Sequence, residues 1–382
     1  MKLANFDIEA FLRDYWQQKP LLIRNSWAAW QNPLDPNELA GLACEPEVES
    51  RLVIGAQGSW TVEHGPLAEA RFAALGQEPS TLLVQAVDHH VPEVAALIAP
   101  FRFIPNWRID DVMVSYATDG GGVGPHFDQY DVFLIQGHGR RRWRVGQNCN
   151  ADSLLLPHED LRLLAEFEAT DEWLLEPGDI LYVPPGIAHD GVAVGDDCMT
   201  YSIGFRAPSR SELIADFADD LVADIEDDDR YTDPGLATQS NPGEISAGAL
   251  DALHAMITEK LSDRKAFARW FGGYNSTPKY PEVDWAPEEA TSIEEVREYL
   301  ANRPTLARNP ASRLSFIHDG TELLLFVDGE CFECHGETVA FAEQLCAEDM
   351  FDVVPEFAGS AAVQSLIVQL INQGSVAFED GE

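Results

Sequence analysis

Two imidazoles and one carboxylate are spaced in this chain as a metal centre would need them. His126-Phe127-Asp128 is followed some sixty residues on by His189, at the end of the run Pro184-Pro-Gly-Ile-Ala-His189. Alternate residues of an extended chain share a face, so His126 and Asp128 are expected to point at one ion while Phe127 points into apolar packing. With His189 they would form a two-histidine, one-carboxylate facial triad, the donor set of non-haem Fe(II), which leaves coordination positions open for catalysis. Two open positions would suit a chelating 2-oxo acid and the third dioxygen. The far carboxylate of such an acid needs a cation with paired donors, and Gly139-Arg140-Arg141-Arg142-Trp143 supplies three guanidinium candidates. Strand alternation sets Arg141 apart from its two neighbours and leaves the register open.

The elements that must hold these groups are short and strand-like. Apolar, β-branched or aromatic runs recur at Thr81 to Val87, Asp111 to Tyr116, Val132 to Gln136, Arg142 to Val145, Ile180 to Val183 and Met199 to Phe205. Gly120-Gly-Gly-Val-Gly124-Pro125 and Glu176-Pro-Gly-Asp179 supply turn chemistry between them. This pattern predicts an antiparallel double-sheet jelly roll with the metal inside. Upstream, Phe6 to Trp16 has helical spacing. The Pro-Gly-Asp-Ile-Leu-Tyr-Val-Pro-Pro-Gly-Ile-Ala-His189 run reads as turn, buried strand and a second turn that holds the last histidine rigidly. His64, His89, His90, His158 and His254 lack such context and read as structural or solvated.

From Ser211 the period changes. Leu213, Ile214, Phe217, Leu221, Val222 and Ile225 are spaced as an amphipathic helix, with Asp216, Asp219, Asp220 and Asp224 between them. Asp227 to Pro242 reads as a loop and Ala247 to Phe271 as helix. Ser292 to Leu300 is a helix capped by Ser292; strands at Arg313 to Ile317 and Glu322 to Val327 and helices at Phe341 to Glu348 and Ala361 to Asn372 complete a small α+β domain.

Bulk composition narrows the function classes. The 382 residues are 45% hydrophobic, enough for more than one core. A formal charge of −40, from 65 acidic and 25 basic side chains, opposes direct contact with nucleic-acid phosphates. It suits a basic protein partner, or solvation in a salty cytoplasm. Met1 to Trp16 has neither the basic head nor the apolar run of a signal peptide, and no run has membrane-spanning length, so a cytoplasmic location is expected. Six cysteines are too few for a disulfide framework in a chain of this size. Cys331-Phe-Glu-Cys334-His335 has the spacing of a covalent haem site but lies in a strand-like stretch, and no second cysteine pair stands ready to complete a zinc site; it reads as coincidence.

Three segments together resemble the JmjC-type (cupin-like) bacterial ribosomal oxygenases, and among them the arginine hydroxylases of the sixteenth large-subunit ribosomal protein. These are Gly124-Pro-His126-Phe-Asp128 through Trp143, Pro184 through His189, and Tyr201-Ser-Ile-Gly-Phe-Arg-Ala-Pro208. The likeness starts at Phe11-Leu-x-x-Tyr-Trp and fades after about residue 275. It implies an α+β chain: a double-stranded β-helix catalytic domain over 1–208, a helical dimerisation region over 209–275 and a winged-helix-like domain over 276–382. It implies His126, Asp128 and His189 as iron ligands, Arg141 and Ser115 as 2-oxoglutarate partners, and a homodimer acting on a basic ribosomal protein. Tyr130 and Asp131 are candidates to hold the substrate guanidinium at the mouth. The acids Glu348, Asp349, Asp352 and Glu356 point the terminal domain toward protein contact rather than DNA. The triad does not encode its acceptor, so a histidyl hydroxylase or lysine demethylase would share it. A cupin metal enzyme without 2-oxoglutarate and a non-catalytic ribosome-assembly adaptor are the competing classes.

Overall fold

Alternation along the strands of the first half is realised as two facing antiparallel sheets. In the computed structural model, which describes residues 3–379 except 57, 58, 77, 224, 227 and 303, the larger sheet has eight strands. Their spatial order is Leu21–Ile23, Ile180–Val183, Val132–His138, Cys198–Phe205, Ile109–Ala117, Ser80–Val84, Ser50–Ala56 and Ser59–His64. The smaller sheet carries Ile187–Ala193, Arg141–Asn148 and Ala169–Leu175. This is the expected jelly roll, with its two sheets face to face rather than closed into a barrel.

Register decides what lines the interior. Thr200 stands opposite Ser115 on one side and Gln136 on the other, so all three share a face. On that face Val132, Leu134, Leu181 and Val183 pack against Trp143, Val145 and Leu175 of the smaller sheet. The opposite face, with Val114, Phe133, Tyr182 and Tyr201, buries Phe11, Leu39 and Phe101 outside the roll. Phe11 belongs to the helix Ile8–Asp14, whose N-cap Asp7 accepts a hydrogen bond from the Ala10 amide. Its ring meets Tyr182 edge-on at 4.9 Å. The N-terminal helix thus clamps the outside of the sheet whose inside faces the site.

The chain divides into two compact units, Met1–Ala207 with Asn309–Ala311, and Pro208–Arg308 with Ser312–Glu382. The second holds the helices Arg210–Ala223, Ala247–Leu261 and Arg264–Ser276 together with the terminal strands and helices. The single helix expected over Ala247 to Phe271 is two, because the Asp263 carboxylate accepts hydrogen bonds from the Lys265 and Ala266 amides and starts a new one. Arg264–Ser276 then packs so closely on the hairpin Leu314–Asp319/Glu322–Val327 that a Cβ on Gly272 would lie 2.2 Å from the Phe326 ring. Ser292 and Glu295 form the expected cap of Ile293–Asn302. Asp224 of the expected acidic face and Asp227, where the loop begins, lie outside the described residues. Cys331 and Cys334 sit on the strand Glu330–Cys334; Arg269 donates to the Cys331 sulfur, and Cys334 is buried. All six cysteines are free thiols, and no described helix is long and apolar enough to cross a membrane.

Candidate metal centre

His126 is placed by backbone approach rather than by a continuous strand. Its amide donates to the His189 carbonyl at 3.0 Å and the His189 amide returns the bond at 2.8 Å, an isolated bridge between two chain segments. The loop before it comes so near that a Cβ on Gly122 would meet the Gly191 carbonyl oxygen at 2.5 Å. The expected strand through His126 and Asp128 is therefore a single bridge followed by irregular chain. The Asp128 carbonyl is tied instead to the Gly186 amide at 2.8 Å. Phe127 still turns away, onto Cys149, Leu164 and Ala188. His189 is not in a turn but on the strand Ile187–Ala193, opposite Val145.

The three groups converge. One ligand atom from each of His126, Asp128 and His189 lies within 4.8 Å of the others, the one such cluster among the described residues. His126 Nδ1 is 2.9 Å from the Gly124 carbonyl oxygen and His189 Nδ1 is 3.0 Å from that of Ile187. Each ring can donate from Nδ1 and so keep the lone pair of Nε2 for a metal. Burial, then the neighbouring His126, pushes the pKa of His189 down to about 4, so its ring is neutral near pH 7. His189 Nε2 stands 3.5 Å from Asp128 Oδ2. Without a proton between them these are two electron-rich atoms face to face, an arrangement that a cation resolves. The Asp128 side chain is 22% exposed against 3% for His189, so the cluster opens on the carboxylate side.

The smaller sheet settles the arginine register. Along Arg141–Asn148, Arg141 and Trp143 are buried while Arg142 is exposed. Arg142 reaches Glu172 at 3.5 Å and Arg144 pairs with Asp190, both on the outer face. Arg141 points inward, 5% exposed, with Nε and Nη2 buried and without hydrogen-bond partners. A guanidinium left so is costly unless an anion joins it. Ser115 is buried on the facing sheet.

At the mouth the two candidates part. Tyr130 keeps 43% of its surface exposed, while desolvation about its hydroxyl end, with the charges of Asp128, Asp111 and Asp110, raises its pKa above the usual phenol range. Asp131 is fully buried and committed elsewhere. It accepts from Tyr182 Oη at 2.6 Å, Gln17 Nε2 at 2.9 Å and Arg108 Nη2 at 3.3 Å. So buried and engaged, it is not exposed to a substrate at the mouth, and it ties Gln17 of the N-terminal segment and Arg108 together.

Residues 96–213 match the JmjC domain family, 259–377 the ROXA-like winged helix and 168–271 the AraC-like ligand binding domain. The chain is 39% identical over 374 residues to the ribosomal protein uL16 3-hydroxylase of Escherichia coli, covering 97% of each chain. The chain belongs to the JmjC ribosomal oxygenases. A probable ribosomal oxygenase of Haemophilus influenzae is 39% identical over 277 residues, 69% of this chain and 66% of that one. The crystal structure of E. coli YcfD superposes with a TM-score of 0.90 at 36% identity, covering 99% of this chain and all of that one. YcfD in complex with cobalt and 2-oxoglutarate gives 0.87 at 36% identity, covering 99% of each.

In this ribosomal oxygenase two interior residues escaped sequence reasoning. Thr200, opposite Ser115, is an ordinary strand residue until register is known. Trp143 stands in the sequence only as the residue that closes the arginine run, yet its ring lies 5.9 Å from that of His189, and a Cβ on Gly191 would come within 2.6 Å of it. Gly191→Ala should therefore destabilise the fold by about 1–3 kcal/mol through overpacking and displace the indole. Denaturant unfolding measures it; an unchanged midpoint would show that the ring yields freely.

Proposed function

We propose that this chain is an Fe(II)- and 2-oxoglutarate-dependent oxygenase that hydroxylates an arginine side chain of a basic large-subunit ribosomal protein, the counterpart of uL16. The observation that carries the reading is the convergence of His126, Asp128 and His189 in the same roll as a buried, unpartnered Arg141. Near full-length similarity to a uL16 3-hydroxylase supplies the substrate class.

His126 and His189 give Nε2 lone pairs and Asp128 one carboxylate oxygen, a set that fits ferrous iron. The bound metal supplies activation of dioxygen, coupled to conversion of 2-oxoglutarate into succinate and carbon dioxide. Arg141 holds the distal carboxylate of the co-substrate and the Ser115 hydroxyl assists it. Tyr130 lines the mouth and orients the incoming guanidinium, while Asp131 steadies the segment behind it. The apolar interior formed by Val132, Leu134 and Leu181 keeps water out, so the chain's work is positioning and exclusion rather than acid–base transfer. The net charge of −40 favours encounter with a basic partner.

Purified protein given Fe(II), 2-oxoglutarate and a peptide from its own uL16 counterpart should add one oxygen to an arginine and release succinate in equal amount. Mass spectrometry reads both. An unmodified peptide, or an oxygen carried on histidine in the fragment ions, would remove the arginine reading.

The same reading assigns catalysis to 1–208, dimerisation to 209–275 and a protein-contacting winged helix to 276–382, in a cytoplasmic homodimer. Support for the dimer is the helix Ala247–Leu261, which buries no residue and exposes Leu250, Leu253, Ile257 and Leu261. A two-fold interface uses each of these twice. Leu253→Asp with Ile257→Asp should weaken self-association by at least about a hundredfold, given roughly 1.5–3 kcal/mol for each apolar side chain covered. Sedimentation analysis showing the same species for both proteins would count against the helix as the contact.

A further inference from the structure

We propose that the indole N–H of Trp143 is a co-substrate-binding group, donating alongside Arg141 to the distal carboxylate of the 2-oxo acid. The inference rests on the oxygenase reading above and adds to it a binding residue that the strand pattern alone reads as core.

Trp143 follows Arg141 by two residues on one strand, so both side chains enter the roll. The Arg141 guanidinium carbon lies over the indole at 5.8 Å from its centroid, and the His189 ring lies 5.9 Å away. The indole thus stands between the cation awaiting an anion and a histidine of the metal cluster. Trp143 is only 5% exposed, and its Nε1, like Nε and Nη2 of Arg141, is buried with no hydrogen-bond partner. Three unsatisfied donors on two adjacent inward residues point to a shared acceptor of high charge density.

The ring cannot swing to find that acceptor within the protein. Its six-membered ring abuts Gly191, where a Cβ would meet three ring atoms at 2.6–2.8 Å, and the chain leaves that side bare. Packing alone would be served by phenylalanine, which carries no donor to desolvate. What tryptophan adds is a rigid N–H whose burial is unfavourable until an anion arrives. A monocarboxylate held only at the metal end would leave this donor and the guanidinium unpaired. A dicarboxylate reaching from the cluster to Arg141 satisfies both.

The test uses the full chain loaded with Zn(II), so that binding is read without turnover. Calorimetric titration compares 2-oxoglutarate with 2-oxopentanoate, which has the same carbon chain but no distal carboxylate, on the wild type and on Trp143→Phe. The substitution should weaken 2-oxoglutarate by about tenfold to a hundredfold, the range of one hydrogen bond to a charged acceptor, and leave 2-oxopentanoate unchanged. On the wild type, the indole 15N–1H resonance showing cross-peaks to the His189 ring should move downfield with 2-oxoglutarate and stay in place with 2-oxopentanoate. Equal affinities in the two proteins, equal losses for both acids, or an unmoved resonance would overturn the assignment while leaving the oxygenase reading intact. A wild type that takes up no 2-oxoglutarate would overturn both.

Discussion

His189→Ala is expected to lower turnover by at least about a thousandfold and to remove tight metal binding, while the fold survives. The first part follows from the donor set. In the proposed site two imidazoles and one carboxylate are the protein's ligands, and losing one strips several kcal/mol of transition-state stabilisation, at about 1.4 kcal/mol for each tenfold in rate. The second follows from how His189 is held. Both bonds of its bridge to His126 are backbone bonds, which alanine retains. The lost ring leaves Trp143 without one neighbour, a packing loss rather than a broken sheet. Iron titration and succinate release measure the function and thermal unfolding of the metal-free protein measures the fold. Normal iron uptake by the variant would remove His189 from the ligand set.

Arg141→Ala carries the next largest effect, and it separates affinity from stability. Two parallel charge-assisted hydrogen bonds to a carboxylate contribute roughly 1.5–3 kcal/mol each, so half-saturation by 2-oxoglutarate should rise about a hundredfold or more. Without co-substrate, the same substitution removes a buried guanidinium whose Nε and Nη2 have no partner. The melting temperature of the free protein should therefore hold or rise, against the common trend for buried positions. Arg141→Lys restores the charge but not the fork and should recover only part of the affinity. Turnover that persists in Arg141→Ala without succinate would turn the reading toward a cupin metal enzyme that does not use 2-oxoglutarate.

The distance between sequence and structure shows at particular places. The strand Ile187–Ala193 carries the proposed ligand His189, yet it follows Pro184-Pro-Gly and contains Gly191, so it reads as a turn; tertiary contact with Trp143 and with the His126 bridge makes it a strand. Ala169–Leu175 was invisible for the opposite reason. Its first four residues are exposed, and an edge strand of a small sheet shows little alternation. Asp131 looked like a surface acid beside Tyr130. It is buried because Tyr182, Gln17 and Arg108 come from three distant parts of the chain to satisfy it.

What the sequence by itself determined is chemical: which side chains can bind a metal, that either Arg141 or its two neighbours must point inward, that acids outnumber bases, and that period-2 strands give way to period-3.6 helices near residue 208. Those features depend on residue type and local spacing, which pass through folding unchanged. Only the tertiary structure decided that Arg141 rather than its neighbours is buried within the roll, that Asp131 is buried away from solvent, and that Trp143 lies against Gly191 with its N–H unmatched. Each depends on which strand lies opposite which, and register is set by long-range packing that no local pattern encodes.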